Sequence, residues 1–218
     1  MFLFAGAMTK ITGIKYEKGG GKRVRLYLDG KPALKLEAEL AAEKGLKAGS
    51  ELSQNELSEI ESQERYRECM NVALKFLAYR PRSEHEVRDK LRLRGFQGSD
   101  IDKVIDKLKE QKYIDDAAFA EYWRENRTSF SPRSRRMLAS ELVRKGVKGA
   151  DIDVAVSDID EAENAYRAAL PRARRLSLAD REGFRERLGG YLRRRGFSYD
   201  VINNTLERIW RELKDEKA

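Results

Sequence analysis

The chain has 218 residues, 38% of them charged and 40% hydrophobic, with a formal net charge of +8. That length permits one large or two small domains with real cores, and the apolar share is too high for a disordered chain. A single cysteine (Cys69) and a single histidine (His85) exclude an intrachain disulfide and a zinc site built from Cys and His alone.

In chain order, the opening "MFLFAGAM" is too short for a signal peptide or a membrane span. It reads as a tail, or as an upstream start with Met8 the more usual initiator. "KITGIKY", "VRLYL" and "ALKLE" alternate as strands, joined by a Gly19-Gly20-Gly21 turn and then by Asp29-Gly30, a favoured two-residue hairpin turn. Val24, Leu26 and Leu28 fall on one face. Three short strands need a cover, and "LEAELAAEKGL" with "LSQNELSEI" can provide it. From Ser53 on, the apolar spacing is helical, in a long run that Pro81 ends.

A shift of 51 residues lays "KLRLRGFQGSDIDKVIDKLKE" (90–110) on "ELVRKGVKGADIDVAVSDIDE" (141–161), and a further 50 reaches "YLRRRGFSYDVINNTLERIWRE" (191–212). Leu91, Leu142 and Leu192 then share a slot, as do Gly95, Gly146 and Gly196. Each copy predicts three helices, with the glycine as the left-handed residue that stops the second. The expected fold is mainly α: three tandem three-helix repeats in an elongated arc, preceded by a small antiparallel β-containing domain. The boundaries are 1–52 for the β-rich domain, 53–68 for a helical linker, and 69–114, 115–161 and 162–218 for the repeats.

Few residues invite catalysis. His85 lies in a charged helix and is expected at the surface. Asp115 and Asp116 precede an apolar helical run and are expected as caps, with Phe119, Tyr122 and Trp123 behind them as core. Asp151 and Asp153 lack the Gly and closing Glu of a calcium loop, and no Lys-Ser/Thr follows the triple glycine as a P-loop requires. No catalytic residue, metal or cofactor is expected, so the chain reads as a binder.

The charge indicates where binding occurs. Residues 1–68 carry 12 Lys/Arg and 11 Asp/Glu, leaving 33 and 26 in 69–218, a net of +7 there. Such a balance favours an acidic partner, nucleic acid or an acidic protein groove. Arg92/Arg94, Arg144/Lys145 and Arg193/Arg194/Arg195 stand just before the three glycines. A helix dipole welcomes cations there, so a solvated face and a binding surface both fit them. Arg133, Arg135 and Arg136 lie at a helix start, where the dipole opposes them, and are assigned to a partner. Arg82, Arg88, Arg124 and Arg127 complete the candidates. Ser83 with Glu86 fits a capping box; Ser134 has Met137 in that slot, which makes Ser131-Pro132 an equally good helix start.

Together "AYRPRSEHEVRDKLRLRGF", "VIDKLKEQKYIDDAAFAEYWRENR" and "ASELVRKGV" resemble the RecX family of RecA regulators, over about 69–212. The matching positions are Arg82, Ser83, Glu86, Arg88, Lys90 and Leu91, then Tyr113, Asp115, Asp116 and Phe119, most of them fold-defining. The third repeat departs, with Glu182-Gly183-Phe184 in place of Pro-Arg-Ser. The resemblance implies a non-enzymatic, cytoplasmic modulator, expected to act as a monomer away from membranes. It would lie in the groove of the RecA–single-stranded DNA filament and dampen strand exchange, ATP hydrolysis and co-protease activity in DNA repair and the SOS response. A DNA-binding protein that uses the same basic repeats without RecA, on single-stranded or duplex DNA, stays open beside it, as does a structural adaptor.

Overall fold

Asp29 and Gly30 take φ of 46° and 79°, the pair of left-handed residues that a two-residue hairpin requires. They join β2 (Arg23–Leu28) to β3 (Lys31–Glu37), and β1 (Thr9–Tyr16) pairs antiparallel with β2. The computed structural model describes residues 8–17 and 22–216. The readings of the opening apolar tail and of the Gly19-Gly20-Gly21 turn therefore lie outside the described residues. A fourth strand, β4 (Glu51–Leu52), pairs with β1 to give the order β3-β2-β1-β4.

Helices α1 (Ala38–Glu43) and α2 (Gln54–Leu77) cover this sheet. Ile11, Val24, Leu26, Leu36, Leu40 and Ile60 form one cluster, so the alternating face meets the expected helices. Glu64 of α2 is buried; its carboxylate accepts the Arg23 guanidinium at 2.7 Å and the Glu37 amide at 2.9 Å. Burial nonetheless pushes that carboxyl above its ordinary range. At the start of α2, Ser53 and Glu56 form a reciprocal capping box: the Glu56 amide donates to Ser53 Oγ at 3.3 Å, and the Ser53 amide donates to Glu56 Oε2 at 2.8 Å.

The remaining helices are α3 (Glu84–Arg92), α4 (Gly98–Glu110), α5 (Asp116–Phe130), α6 (Arg135–Arg144), α7 (Gly149–Ser157), α8 (Glu161–Ala173), α9 (Arg181–Arg194) and α10 (Tyr199–Asp215). They confirm the repeat register. Val87/Leu138/Leu188, Leu91/Leu142/Leu192, Ile101/Ile152/Ile202 and Leu108/Ile159/Ile209 are all buried. The second repeat packs Phe119, Leu138, Leu142, Ile152 and Val156 together. The third packs Phe184, Leu188, Leu192, Leu206 and Ile209, with Trp210 edge-on to Phe184 at 4.9 Å.

The chain divides into two compact units. One runs to Lys75 and includes Leu91–Asp106; the other holds Phe76–Lys90 and everything from Lys107 on.

Three sequence expectations change. Helix α6 starts at Arg135 with Ser134 as its cap, whose Oγ accepts from the Met137 amide at 3.2 Å, so Ser131-Pro132 lies before the helix and does not begin it. Ser83 caps α3 by accepting the Glu86 amide at 3.2 Å, yet Glu86 does not return the bond, because its carboxylate is drawn to two cations. Tyr113 keeps its side chain exposed, so it marks the fold through its backbone, whose amide donates to Leu108 at 2.9 Å.

Candidate partner-binding surface

The Pro-Arg-Ser segments are joints between repeats. Ser83 Oγ donates to the carbonyl of Lys145 at 2.6 Å, one of the orphan acceptors that a helix end leaves. One repeat later, the Ser134 amide donates to the carbonyl of Arg195 at 3.1 Å. Each serine thus starts its own helix and also receives the end of the following repeat's second helix.

Gly146 and Gly196 sit against these joints, with φ of 77° and 86°. A Cβ on Gly146 would fall 2.4 Å from His85 Cβ, and one on Gly196 would fall 2.5 Å from Ser134 Oγ. Gly95 has φ 86° but would meet nothing within 4 Å. His85 itself is exposed and lies 3.1 Å from the Asp89 carboxylate.

The acids serve these joints too. Asp115 caps α5, accepting the Ala118 amide at 3.0 Å, while Asp116 accepts the Glu84 amide at 2.8 Å and so caps α3. Burial raises the Asp116 carboxyl. Glu86 accepts from Arg80 at 2.9 Å and Lys145 at 2.7 Å. Burial opposes ionisation there, but the bonds from these two cations outweigh it and lower the carboxyl to about 2. Buried Glu141 takes the indole N–H of Trp123 at 2.8 Å and Arg127 at 2.7 Å, with Arg133 paired on its other oxygen.

This sorts the basic candidates. Arg133 is held by Glu141, and Arg135 Nη2 donates to the Ile159 carbonyl at 3.1 Å, so both of these arginines at the α6 start have intramolecular partners. The unfavourable dipole at that end is offset locally: the Glu161 carboxylate accepts the Arg135 amide at 2.7 Å. Arg82 lies over the Phe76 ring at 4.0 Å, Arg88 pairs with Glu84 at 2.7 Å, and Arg124 reaches Glu125 at 3.5 Å. Arg195 Nη1 donates to Ser131 Oγ and to the Pro132 carbonyl, each at 3.0 Å. Arg92 is exposed at the end of α3. Arg94, Arg136, Arg144, Arg193 and Arg194 are exposed with no partner among the described residues.

One group escaped the sequence reading. Arg167 and Arg172 of α8, with Arg175 just past its end, join Arg195, Phe130 and Tyr191 around a cleft of about 580 Å³. Their one signal is helical spacing along α8; which surface they meet is a tertiary fact. Among the described residues, no group of three or more His, Cys, Asp or Glu could hold a metal ion, and no helix is long and apolar enough to cross a membrane.

Residues 69–108 match the RecX first three-helix domain and residues 115–156 match the RecX second three-helix domain. The chain is 30% identical over 212 residues to the regulatory protein RecX of Clostridium tetani (strain Massachusetts / E88), covering 93% of this chain and 95% of that one. It is 33% identical over 215 residues to that of Bacillus velezensis, covering 96% and 81%. A crystal structure of RecX from Lactobacillus salivarius, 25% identical, superposes with a TM-score of 0.58 over 67% of this chain and 97% of that one. A second crystal structure of a regulatory protein RecX, 24% identical, shares the fold with a TM-score of 0.62 over 89% and 97%.

Proposed function

The chain belongs to the RecX family of regulatory proteins, and from that premise we propose that it regulates RecA by binding the RecA–single-stranded DNA filament in its helical groove. In this reading it is a cytoplasmic binding protein and not an enzyme, acts as a monomer, and restrains ATP hydrolysis, strand exchange and co-protease activity. The observation that carries the reading is the set of arginines, unpaired among the described residues, at the ends of the second helices in all three repeats: Arg94, Arg144, Arg193 and Arg194. A helix dipole gains ~0.3–1 kcal/mol from a cation at its C-terminus, and one cation suffices for that. An anionic filament gives the surplus a use.

The test is RecA's DNA-dependent ATPase with increasing amounts of the chain. Reversing Arg133 and Arg135 would be a poor probe, since Arg133→Glu sets a carboxylate against buried Glu141. Arg136→Glu, Arg144→Glu and Arg194→Glu together touch only exposed, unpaired side chains. The triple variant should need about tenfold more protein for equal inhibition, the equivalent of ~1.4 kcal/mol, with its helical circular dichroism intact. No inhibition by the unaltered chain would overturn the proposal, and equal inhibition by the variant would remove these arginines from it.

A further inference from the structure

Each joint sets the start of one second helix against the end of the next, so three repeats make two joints and leave one receiving end over. That end belongs to the first repeat. A shift of 51 residues carries Lys145, whose carbonyl receives Ser83, onto Arg94, and Gly146 onto Gly95. The Arg94 carbonyl accepts no hydrogen bond among the described residues, and a Cβ on Gly95 would meet nothing within 4 Å. The following residue agrees: Val147 and Phe197 are buried, whereas Phe96 in their slot is only half-buried.

The surface beside this end is concave. Arg65, Val72, Arg94 and Phe96, with the acids Glu68 and Asp100, line a cleft of about 360 Å³. In the second repeat, the slots of Arg65, Glu68 and Val72 hold Asp116, Phe119 and Trp123. There Asp116 accepts the incoming Glu84 amide, and Lys145 reaches Glu86, three residues past the serine. The cleft is thus the receiving half of a joint. Its acids are already matched, Glu68 at 3.4 Å from Arg23 and Asp100 at 3.8 Å from Arg65. Arg94, in the slot of Lys145, is exposed and unpaired among the described residues. A second copy of the chain has no helix start to offer it. Ser83 and Ser134 are engaged in their own joints, and the third repeat has buried Phe184 in that slot.

We propose that this cleft of the first repeat receives the first turn of a RecA helix, one that begins with a serine or threonine cap and carries Asp or Glu three residues on. The cap hydroxyl donates to the Arg94 carbonyl as Ser83 does to that of Lys145, and the acid pairs with Arg94 as Glu86 does with Lys145. Such a spacing is a common way for a helix to begin. The partner's identity rests on the regulatory reading above; the docking geometry comes from the joints within this chain.

The experiment places the photoreactive residue p-benzoylphenylalanine singly at Leu93 and at Gln97, exposed on either side of Gly95. The full chain is irradiated on RecA filaments with which it co-sediments. The adduct should map to the first turn of a RecA helix with that cap and acid. The same probe at Lys148, the exposed counterpart of Gln97 in the joint that Ser83 fills, should not capture that turn. Arg94→Glu should cut the adduct about tenfold, and reversing the mapped RecA acid to Lys should restore it. Lys31→Glu, an equal charge change at an exposed position of the β-containing part, should leave it unaltered. The proposal is overturned if neither position gives an adduct while the unaltered chain co-sediments, if the adduct maps elsewhere, if Lys148 captures the same turn, if Lys31→Glu loses as much, or if the charge swap brings no rescue. Each of those results leaves the regulatory reading standing, whereas an unaltered chain that does not co-sediment with RecA removes both.

Discussion

Gly95, Gly146 and Gly196 occupy one slot of the repeat, and alanine should be unequally costly at the three. At each, positive φ alone costs an alanine roughly 1–2 kcal/mol. Gly95 faces open space, so that is the whole effect there. At Gly146 the new methyl would lie 2.4 Å from His85 Cβ, an atom fixed to the backbone of α3, so helix must move against helix. Such overpacking adds about 1–3 kcal/mol, for a total near 2–5 kcal/mol. With a urea m-value of about 2–3 kcal/mol/M, the unfolding midpoint followed by circular dichroism should fall by ~1 M or more for Gly146→Ala and by about half that for Gly95→Ala. His85→Gly removes the opposing Cβ, and Gly146→Ala made in that background should cost no more than Gly95→Ala. His85→Ala keeps the Cβ and should give no relief. Equal shifts at Gly95 and Gly146, or equal rescue by the two His85 variants, would refute the clash.

Two further outcomes are open to direct measurement. Glu86 has a folded-state carboxyl lowered to about 2, so the stability it supplies is complete above an unfolded value near 4.5 and is lost as pH falls toward 2. That shift is worth at most about 3 kcal/mol. Between pH 5 and pH 3 the urea midpoint of the unaltered chain should fall more than that of Glu86→Gln, and parallel falls would dismiss the Glu86 joint as the cause. Cys69 is buried, and its thiol is pushed up to about 11 by that burial and by the nearby Asp100 charge. A disulfide reagent at pH 8 should therefore modify it only after unfolding, and stoichiometric labelling of the native chain would contradict its placement.

The apolar register of the repeats was legible in the sequence because it repeats: chance does not place Leu91, Leu142 and Leu192 in one slot and bury all three. The hairpin turn and the Asp115 cap were legible for a local reason, since backbone chemistry within four residues decides them. Strand β4 was not, because two residues carry no period and their pairing with β1 is set from a distance. The Ser53–Glu56 box carries the S-x-x-E signature and was available to a closer reading. The Glu86 box was half right, because an expected local bond lost to two cations that arrive from elsewhere in the chain. The arginines were hardest. Sequence supplies the charge, but only the fold reveals that Glu141 holds Arg133 and that no ion pair holds Arg175 among the described residues.

The third repeat has no serine to offer a successor. Its equivalent position is Phe184, sealed in the core inside α9, while Asp180 already caps that helix by accepting the Gly183 amide at 2.8 Å. In evolutionary terms the array has a stop signal. A duplication that copied the second repeat in place would regenerate a serine on one side and a docking glycine on the other, so the gene could lengthen from within. A copy appended after α10 would find no partner for its glycine, and its exposed joint would have to be invented anew.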